Sequence, residues 1–431
     1  MSVQALDVTG YCVTNDEAGH CRLCGEALTQ SFVDLGMSPL CESYLTRNQL
    51  DGMEAYYPLH VMVCSSCFLV QLKEYVSPDD IFSEYAYFSS YSTSWVEHAK
   101  RYCQMIQARL GLGPQSLVVE LASNDGYLLQ HFHPLGVPVL GIEPAANVAK
   151  AARERGVPTL VEFFGTSLAK QLVKEDWQAN LIVGNNVLAQ VPDLNDFTAG
   201  MAHLLSPEGV ITLEFPHLER LMAGCQFDTI YHEHFSYFSL VTIERLAARH
   251  GLMLFDVEEL PTHGGSLRVY LAHEKSSHAV QPAVARLIER ERHLGFEDLS
   301  TYRAFAEQVK HTKRALLAFL IEAKDAGMRI CGYGAPGKGN TLLNYCGIGT
   351  DFLDFTVDRS PYKQGRFTPG MHIPIRPVEA IAEVRPELLL ILPWNLKDEI
   401  VQQMRCIGSW GGRFVVPIPE VTLIDPKELR S

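Results

Sequence analysis

The chain has 431 residues, which is too long for one ordinary hydrophobic core and predicts two or three domains. Its composition is 47% hydrophobic and 20% charged, which is typical of a globular protein and excludes a largely disordered one. The net charge of −14 disfavours a nucleic-acid partner, because phosphate backbones are bound by basic surfaces. There is no apolar run long enough for a membrane helix and no secretory signal at the start, so we expect a cytoplasmic protein without a membrane partner.

Two C-x-x-C pairs, Cys21/Cys24 and Cys64/Cys67, predict a metal site near the N-terminus. In the cytoplasm, the eleven cysteines of the chain are expected to be thiols or metal ligands and not disulfides. Each pair places two sulfur atoms on one tight turn, and two such turns complete a tetrahedral four-thiolate zinc site. Because this site leaves no position open for substrate, the zinc should be structural. The alternatives are unpaired structural thiols, or substitution by a nearby Cys12, His20, Cys41 or His60.

The first pair is followed by a predicted insert over residues 36–57 and a predicted strand at 59–63. The chain then alternates predicted strands at 117–121, 139–142 and 181–183 with predicted helices at 127–132 and 147–155. This alternation predicts a parallel, doubly wound sheet, whose ligands bind beyond the carboxyl ends of the strands. Glu143 ends the second strand, where a carboxylate usually accepts hydrogen bonds from ribose hydroxyls. A surface acid near a helix N-terminus is the alternative.

The loop after the first of these strands lacks the glycine-rich sequence that a dinucleotide pyrophosphate requires. It offers Ala122, Asn124 and Asp125 instead, which suit a cationic ligand without phosphate. S-adenosylmethionine, which carries an ammonium and a sulfonium group, fits this expectation. The predicted cofactor-binding residues are Glu120, Ala122, Asn124, Asp125, Gly126, Glu143, Pro144 and Asn185.

A second possible nucleotide site lies in the last third of the chain. Residues 290–326 have helical periodicity, and a predicted strand at 329–331 leads into a G-x-G-x-x-G sequence that ends at Gly337. Further strands are predicted at 352–357 and 388–392. The pattern is that of a dinucleotide site, but a helix N-terminus with Lys338 suits the diphosphate of a nucleotide sugar equally well. Arg359 and Lys363 would reinforce this anion site, unless they are solvated surface residues.

The order of motifs along the chain resembles the sugar C-methyltransferases, which act on nucleotide-linked keto-deoxysugars. The motifs are the paired cysteines, Tyr85 to Tyr91, Ser123 to Gly126, Gly141 to Ala145, Asn185 to Val187, Tyr231 to Ser239, Thr262 to Arg268 and Gly332 to Gly339. The resemblance implies an α/β fold in three parts. These are a small zinc-binding domain at residues 1–78, a central class I (Rossmann-like) methyltransferase sheet at 79–290, and a helical bridge with a C-terminal Rossmann-like, nucleotide-sugar-binding domain at 291–431.

The resemblance also implies that Tyr85, Tyr231, Glu233 and His234 line the reaction centre. Gln190 stands where we expect a histidine in this family. Glutamine hydrogen-bonds a substrate oxygen but does not take up a proton at neutral pH, so no acid/base role is expected there. The candidate substrate-binding residues are Gln190, His263, Tyr333, Lys338, Asn340, Arg359 and Lys363.

Methylation at carbon requires a carbanion equivalent, which a base can form by removing a proton beside a ketone. His234 is the expected base, because an imidazole titrates near neutral pH. Glu233 would orient a histidine or bind a sugar hydroxyl, and Tyr231 and Tyr85 would donate hydrogen bonds to the enolate oxygen. The alternatives left open are His232 or His263 as the base and a metal site formed by the three histidines. Core packing is expected for Phe235, Tyr237 and Phe238.

The expected function is therefore the S-adenosylmethionine-dependent C-methylation of a nucleotide-linked keto-deoxysugar, with dTDP as the expected nucleotide. A monomer is expected, and a weak dimer remains open. The alternative enzyme is an NAD-dependent nucleotide-sugar oxidoreductase that uses the C-terminal glycine loop, but no second catalytic set lies near that loop. A non-catalytic scaffold is disfavoured, because the polar and aromatic block at 231–238 is costly to bury without a function.

Overall fold

A computed structural model of the chain describes residues 19–76 and 88–428. Three sheets of four, seven and six strands organise these residues, and the α/β fold class is confirmed. Tyr85, which is predicted to line the reaction centre, lies outside the described residues. Within the two described ranges, no helix is both long enough and apolar enough to cross a membrane.

The N-terminal domain is an antiparallel sheet whose strands are β1 (Gln30–Ser38), β2 (Tyr57–Val63) and β3 (Val70–Leu72). Side chains of a strand point alternately to its two faces, and in β2 the apolar residues Leu59, Val61 and Val63 are the buried set. The predicted strand at 59–63 lies within β2. The predicted insert begins later than expected, because β1 continues to Ser38.

The central domain is a seven-stranded sheet in the order β10-β11-β8-β7-β4-β5-β6. The strands β4 to β8 run parallel, and β11 is antiparallel to both of its neighbours. The strands are β4 (Val118–Leu121), β5 (Val139–Ile142), β6 (Thr159–Leu160), β7 (Ala179–Asn185), β8 (Leu205–Pro216), β9 (Ser236–Tyr237, outside this sheet), β10 (Leu252–Leu260) and β11 (Ser266–His273). The helices are α1 (Thr93–Leu110), α2 (Ala146–Glu154), α3 (Thr166–Lys174), α4 (Leu194–Leu204), α5 (Leu218–Ala223) and α6 (Leu240–Arg249).

The helix predicted at 127–132 is wrong. The segment forms only 3-10 turns at Leu129–His131 and His133–Leu135. Pro134 disfavours the α conformation for the residue before it, and the left-handed Gly136 ends the second turn. The apolar periodicity of the sequence did not reveal this interruption.

The C-terminal domain is a six-stranded sheet in the order β14-β13-β12-β15-β16-β17, parallel except for β17. Its strands are β12 (Ile330–Tyr333), β13 (Thr356–Val357), β14 (Ile375–Arg376), β15 (Leu388–Ile391), β16 (Arg413–Val416) and β17 (Thr422–Ile424). The helices are α7 (Pro282–His293), α8 (Leu299–Asp325), α9 (Gly337–Cys346), α10 (Ala380–Val384) and α11 (Lys397–Gln403).

The single helical stretch predicted at 290–326 is two helices. Gly295 has a φ of +83°, which ends the first helix, and the Asp298 side chain then caps α8 by accepting a hydrogen bond from the Ser300 N–H at 2.8 Å. The strand predicted at 352–357 is also shorter than expected, since only Thr356–Val357 pair with their neighbours.

The domains are joined by shared packing as well as by the chain. The short strand β9 pairs with β3, so a piece of the block at 231–239 completes the N-terminal sheet. The ring of Phe32 in β1 stacks on the ring of Phe305 in α8, with their centroids 4.7 Å apart. The N-terminal sheet is therefore held against both later domains.

Phe305→Ala tests this shared core. Phe305 is 2% exposed, and removing a buried aromatic ring should lower the free energy of unfolding by about 3–5 kcal/mol. The measurement is the first urea unfolding transition followed by circular dichroism. The control is Ile321→Ala on the same helix, where the side chain is 49% exposed, and its effect should stay within about 0.5 kcal/mol. Equal effects of the two changes would contradict the shared core.

Candidate functional site

The two C-x-x-C pairs come together as predicted. The four sulfur atoms lie within 4.8 Å of one another, with 3.4 Å between Cys21 and Cys67 and 3.5 Å between Cys24 and Cys64. Gln71 supports the cluster by donating from its Nε2 to Cys21 Sγ at 3.1 Å. Four thiol donors at this spacing fit a tetrahedral zinc ion and leave no open position for a substrate.

The substitute ligands considered from the sequence are not part of this cluster. Of the described candidates, His20, Cys41 and His60 all lie outside it, and Cys12 lies outside the described residues. His60 instead hydrogen-bonds with Ser31 Oγ at 2.8 Å. A site of four cysteine ligands is therefore the arrangement that the structure supports.

The predicted cofactor loop meets Glu143 at the carboxyl ends of β4 and β5. The two oxygens of Glu143 accept hydrogen bonds from the backbone N–H groups of Asn124 and Ala145, each at 2.9 Å. Asn124 Oδ1 in turn accepts a hydrogen bond from the Ser89 N–H at 2.8 Å. Burial raises the pKa of Glu143, and the two backbone hydrogen bonds oppose that shift. Each carboxylate oxygen keeps a second lone pair, so Glu143 can still accept hydrogen bonds from a ribose.

Strained backbone marks the same edge of the sheet. Ala122, Asn124 and Asn186 all have positive φ angles, of 52°, 48° and 55°. Non-glycine residues are uncommon in this region and tend to occur where a functional site requires them. Gly141 in β5 is also required, because a Cβ there would lie 2.4 Å from Ser123 Oγ.

Two acidic residues at this edge, Asp125 and Glu120, are buried inside the protein. Asp125 is fully buried and forms an ion pair with Arg155 at 2.6 Å, and Arg155 also donates to Ser90 Oγ at 2.8 Å. Asp125 therefore fastens the segment around Ser90 to the loop. Glu120 is 1% exposed and its Oε2 has no hydrogen-bond partner among the described residues. Burial raises the pKa of Glu120 well above its usual value.

The residues that fit S-adenosylmethionine are thus Glu143 and the strained turn at 122–126. Gly126 belongs to this turn with a φ of +76°, Pro144 lies between Glu143 and Ala145, and Asn185 is the last residue of β7. The edge carries acceptors and no basic cluster among the described residues, which matches a cationic ligand.

His234 lies at the centre of the predicted reaction site. Its Nδ1 donates to the carbonyl oxygen of Thr229 at 3.1 Å, which leaves the Nε2 lone pair to accept a proton. The ring of Tyr231 lies 4.1 Å from the His234 ring, measured between centroids. Burial lowers the pKa of His234 to about 4, and the charges of His263 and Lys338 act in the same direction. His234 is therefore a neutral imidazole at pH 7.

His263 faces the same cleft from another loop. It has a φ of +53°, and its Nε2 accepts a hydrogen bond from Asn186 Nδ2 at 3.0 Å. The Trp95 ring packs edge to face against the His263 ring, with 5.2 Å between the ring centroids. Burial lowers its pKa to about 4, with Lys338 adding to the shift. The side chain is nevertheless exposed to solvent.

The third histidine of the sequence analysis belongs elsewhere. His232 Nε2 donates to the carbonyl oxygen of Pro58 at 3.2 Å, and its ring packs between Tyr57 and Tyr75 of the N-terminal domain. The three histidines therefore do not form a metal cluster among the described residues. The expected core packing of the neighbouring aromatic residues is seen, since Phe235, Tyr237 and Phe238 are buried.

Glu233 points towards the insert of the N-terminal domain. Its Oε1 lies 4.0 Å from Cys41 Sγ, and no hydrogen bond joins it to a histidine in the described part of the chain. Burial raises the pKa of Glu233 to about 8, the charge of Glu42 adds to the shift, and Lys363 opposes it. The protonated form predominates at pH 7, so Glu233 can donate a hydrogen bond.

Gln190 lies beside the same block. It ends a 3-10 turn, Leu188–Gln190, and the preceding carbonyl of Ala189 accepts a hydrogen bond from the Phe235 N–H at 2.7 Å. This contact holds the end of β7 next to the segment that carries His234.

The predicted nucleotide-sugar residues divide into two groups. The positive charge of Lys338 helps to lower the pKa values of His234 and His263, while Lys363 lies 3.5 Å from the Glu42 carboxylate and donates to the Ala335 carbonyl at 2.8 Å. The other three make structural or surface contacts. Tyr333 hydrogen-bonds to Gln403, Asn340 donates to the carbonyl of Cys41, and Arg359 forms an exposed ion pair with Glu399.

The glycine loop itself is packed against the N-terminal domain. A Cβ at Gly337 would lie 2.8 Å from Cys41 Sγ and 3.0 Å from a carboxylate oxygen of Glu42. A dinucleotide pyrophosphate needs this helix N-terminus free for its own negative charge. The carboxylate beside it therefore disfavours a diphosphate directly at this helix end, whether from a dinucleotide or from a nucleotide sugar.

Four residues of this cleft were absent from the predicted site. They are Trp95, Asn186, Asp228 and Trp394. Asn186 is next to Asn185, shortly after the strand predicted at 181–183, so it could have been found by the same argument as Asn185. Nothing in their local sequence distinguishes Trp95, Asp228 and Trp394 from ordinary core residues.

Comparisons with known sequences agree with this geometry. Residues 21–82 match the family described as "Putative zinc binding domain", residues 95–257 match "Methyltransferase domain", and residues 261–419 match "C-methyltransferase C-terminal domain". The chain is 37% identical over 404 residues to C-methyltransferase NovU of Streptomyces niveus, an alignment that covers 94% of this chain and 96% of that protein. None of these findings supports the oxidoreductase alternative.

Solved structures resemble part of the chain. One is magnesium protoporphyrin IX methyltransferase from Synechocystis PCC 6803 with bound SAM, at 14% identity and a TM-score of 0.32, covering 42% of this chain and 81% of that one. Another is an S-adenosylmethionine-dependent methyltransferase from Clostridium acetobutylicum, at 9% identity and a TM-score of 0.33, covering 41% of this chain and 92% of that one. At these TM-scores the two likenesses do not bear on function.

The metal centre predicts one zinc ion per chain that stabilises the N-terminal sheet. Cys64→Ser should lose the metal and lower the temperature of the first thermal transition, because binding energy at a structural zinc site is folding energy. Elemental analysis and differential scanning calorimetry measure the two effects. Cys103→Ser, at a buried thiol far from the cluster, should keep its zinc. A Cys64→Ser protein with a full complement of zinc would contradict the assignment.

Proposed function

Because the chain belongs to the C-methyltransferase family and is an S-adenosylmethionine-dependent enzyme, we propose that it methylates the carbon beside the ketone of a nucleotide-linked keto-deoxysugar. The observation that carries this proposal is a neutral imidazole, His234, whose Nδ1 is bonded to the Thr229 carbonyl so that its Nε2 lone pair is left to accept a proton. The sugar class is supported by the order of motifs along the chain, and dTDP is the proposed nucleotide.

In the proposed reaction, His234 Nε2 takes the proton from the carbon beside the ketone. The electron pair of that C–H bond moves into the adjacent bond, and the ketone oxygen becomes an enolate oxygen. In this proposal Tyr231, whose ring lies against His234, donates a hydrogen bond to this oxygen. S-adenosylmethionine supplies the methyl group, whose bond to sulfur breaks as its bond to the sugar carbon forms, with the electron pair left on sulfur. The ketone reforms, and His234 releases its proton to solvent.

Other residues bind and orient in this proposal. Protonated Glu233 donates a hydrogen bond to a sugar hydroxyl, since its carboxyl group is uncharged at pH 7. Gln190 hydrogen-bonds a sugar oxygen, and the side chain of His263, fixed by Asn186, contacts the sugar from the opposite loop. Glu143 accepts hydrogen bonds from the cofactor ribose. The zinc site, which has no open ligand position, takes no part in turnover.

Glu143→Ala tests the cofactor site. Removing the carboxylate should weaken the binding of S-adenosylhomocysteine by roughly 1.5–3 kcal/mol, the range for hydrogen bonds to a charged group. Isothermal titration calorimetry measures the dissociation constant. The matched control is Glu154→Ala at the exposed end of α2, which should leave it unchanged. Unaltered binding by the Glu143 variant would place the ribose elsewhere.

His234→Asn tests the base. The change keeps a donor for the Thr229 carbonyl but removes the proton acceptor, so kcat should fall by about 10²–10⁴-fold. Proton removal can also be followed without methyl transfer. In D2O with S-adenosylhomocysteine, the wild-type protein should exchange deuterium into a sugar from a panel of dTDP-linked keto-deoxyhexoses, and the variant should not. Mass spectrometry reads the exchange.

The comparison for this experiment is Gln190→Ala, which should disturb sugar binding and retain the exchange at saturating sugar. Normal exchange by His234→Asn together with its loss in His263→Asn would move the base to His263. It would leave the reaction class standing.

A further inference from the structure

Lys338 is held between an amide oxygen and an aromatic ring face. Its Nζ donates to Asn395 Oδ1 at 2.9 Å and lies 4.7 Å from the centre of the Trp394 ring, close enough for a cation–π contact. The indole N–H of Trp394 donates to Asp228 Oδ2 at 2.7 Å, and Asp228 is fully buried. Burial lowers the pKa of Lys338, and the Asp228 carboxylate opposes that shift without reversing it. The Asn395 oxygen and the Trp394 ring face are the contacts that hold the ammonium group in place.

The same group lies between the two backbone segments that hold the imidazoles. Asp228 directly precedes Thr229, whose carbonyl accepts the hydrogen bond from His234. On the other side, a Cβ at Gly264 would lie 2.6 Å from Cη2 of Trp394, and Gly264 directly follows His263. Trp394, whose ring face contacts the Lys338 ammonium group, therefore lies against the loop that contains His263. It is also hydrogen-bonded to the segment that holds His234.

A carboxylate of the protein itself lies at the N-terminal end of α9, and a different lysine pairs with it. The Glu42 carboxylate lies against the N-terminal turn of α9 at Gly337 and pairs with Lys363 at 3.5 Å. Lys338 instead donates to Asn395. The sequence alone predicts that Lys338 contacts the diphosphate, but these contacts favour a role nearer the reacting carbon.

We propose that the Lys338 ammonium group stabilises the enolate oxygen that forms when the proton beside the ketone is removed. This inference rests on the proposed function and assigns the cation of its reaction centre. The proton goes to His234 Nε2, and the electron pair of the broken C–H bond comes to rest on the oxygen facing Lys338. Asn395 takes one N–H of the ammonium group, so further donors are available for that oxygen.

A cation is needed here because the base is weak. A base whose pKa is about 4 removes a carbon-bound proton only if the resulting negative charge is strongly stabilised. The charged groups that act on the two imidazoles, among the described residues, are Lys338, Glu214 and His98. Glu214 is buried and already paired with Arg268 at 2.7 Å and His98 at 2.9 Å. Lys338 is thus the cation placed to serve the enolate.

The test is Lys338→Met, which keeps much of the side-chain volume and removes the charge. In the substrate-free protein, loss of a nearby positive charge makes the imidazolium forms easier to form, so the pKa values of His234 and His263 should rise. NMR titration of labelled histidines measures both. Lys338→Arg, which keeps the charge, should leave them low. The matched control is Lys324→Met, near the Asp354 carboxylate at the end of α8, which should change nothing.

The second arm is the deuterium exchange into dTDP-linked keto-deoxyhexoses with S-adenosylhomocysteine. At saturating sugar, Lys338→Met should slow the exchange by about 10²–10³-fold, as expected when one oxyanion donor is lost. Unchanged S-adenosylhomocysteine affinity shows that the variant is folded. Raised imidazole pKa values together with slowed exchange support the proposal.

Two outcomes overturn it and have different meanings. If Lys338→Met raises KM for the sugar while exchange at saturation and the imidazole pKa values stay normal, Lys338 only anchors the substrate, and the proposed function stands. If the wild-type protein exchanges none of the panel sugars, the proposed function falls and takes the role of Lys338 with it.

Discussion

The pairing of β3 with β9 is the contact on which the site depends. Val70 and Gln71 of the N-terminal sheet pair with Tyr237 and Ser236. The Leu72 N–H also donates to the Phe235 carbonyl at 2.9 Å. This ladder continues directly from the segment that carries Glu233 and His234. The four cysteines lie in the same domain, so the backbone connects the zinc site to the segment that carries the proposed base. Loss of zinc would be transmitted to that segment through this connection.

Desolvation decides the protonation states in the cleft. Desolvation of the His234 and His263 rings and the nearby positive charge of Lys338 both favour neutral imidazoles, and of the two side chains His263 is the one exposed to solvent. Glu233 is buried beside Glu42, and both effects favour its neutral form. The cleft therefore contains acid/base groups that are uncharged at pH 7, together with a lysine. Such a combination suits removal of a proton from carbon better than it suits binding of a second cation.

The local sequence was sufficient for those features whose cause is local. A C-x-x-C turn places two sulfurs by itself, so the four-cysteine cluster was predictable, and continuous apolar runs predicted the parallel strands around Glu143. The two helices that were wrongly predicted also have local causes, which the apolar periodicity of the sequence does not show. The segment predicted as a helix at 127–132 forms 3-10 turns that end at the left-handed Gly136, and Gly295 divides the helix predicted at 290–326.

The sequence by itself therefore determined which functional groups are present: four thiols for zinc, acceptors at the ends of parallel strands, and a block rich in tyrosine and histidine. Only the tertiary structure decided which of these groups lie together and in what environment. It brought His263 and Lys338 to His234 across two domains, and it sent His232 to the packing of the N-terminal sheet. The physical reason is that pKa values and hydrogen-bond partners depend on burial and on charges brought close by folding. Neighbours in sequence such as His232 and His234 therefore end in unlike environments.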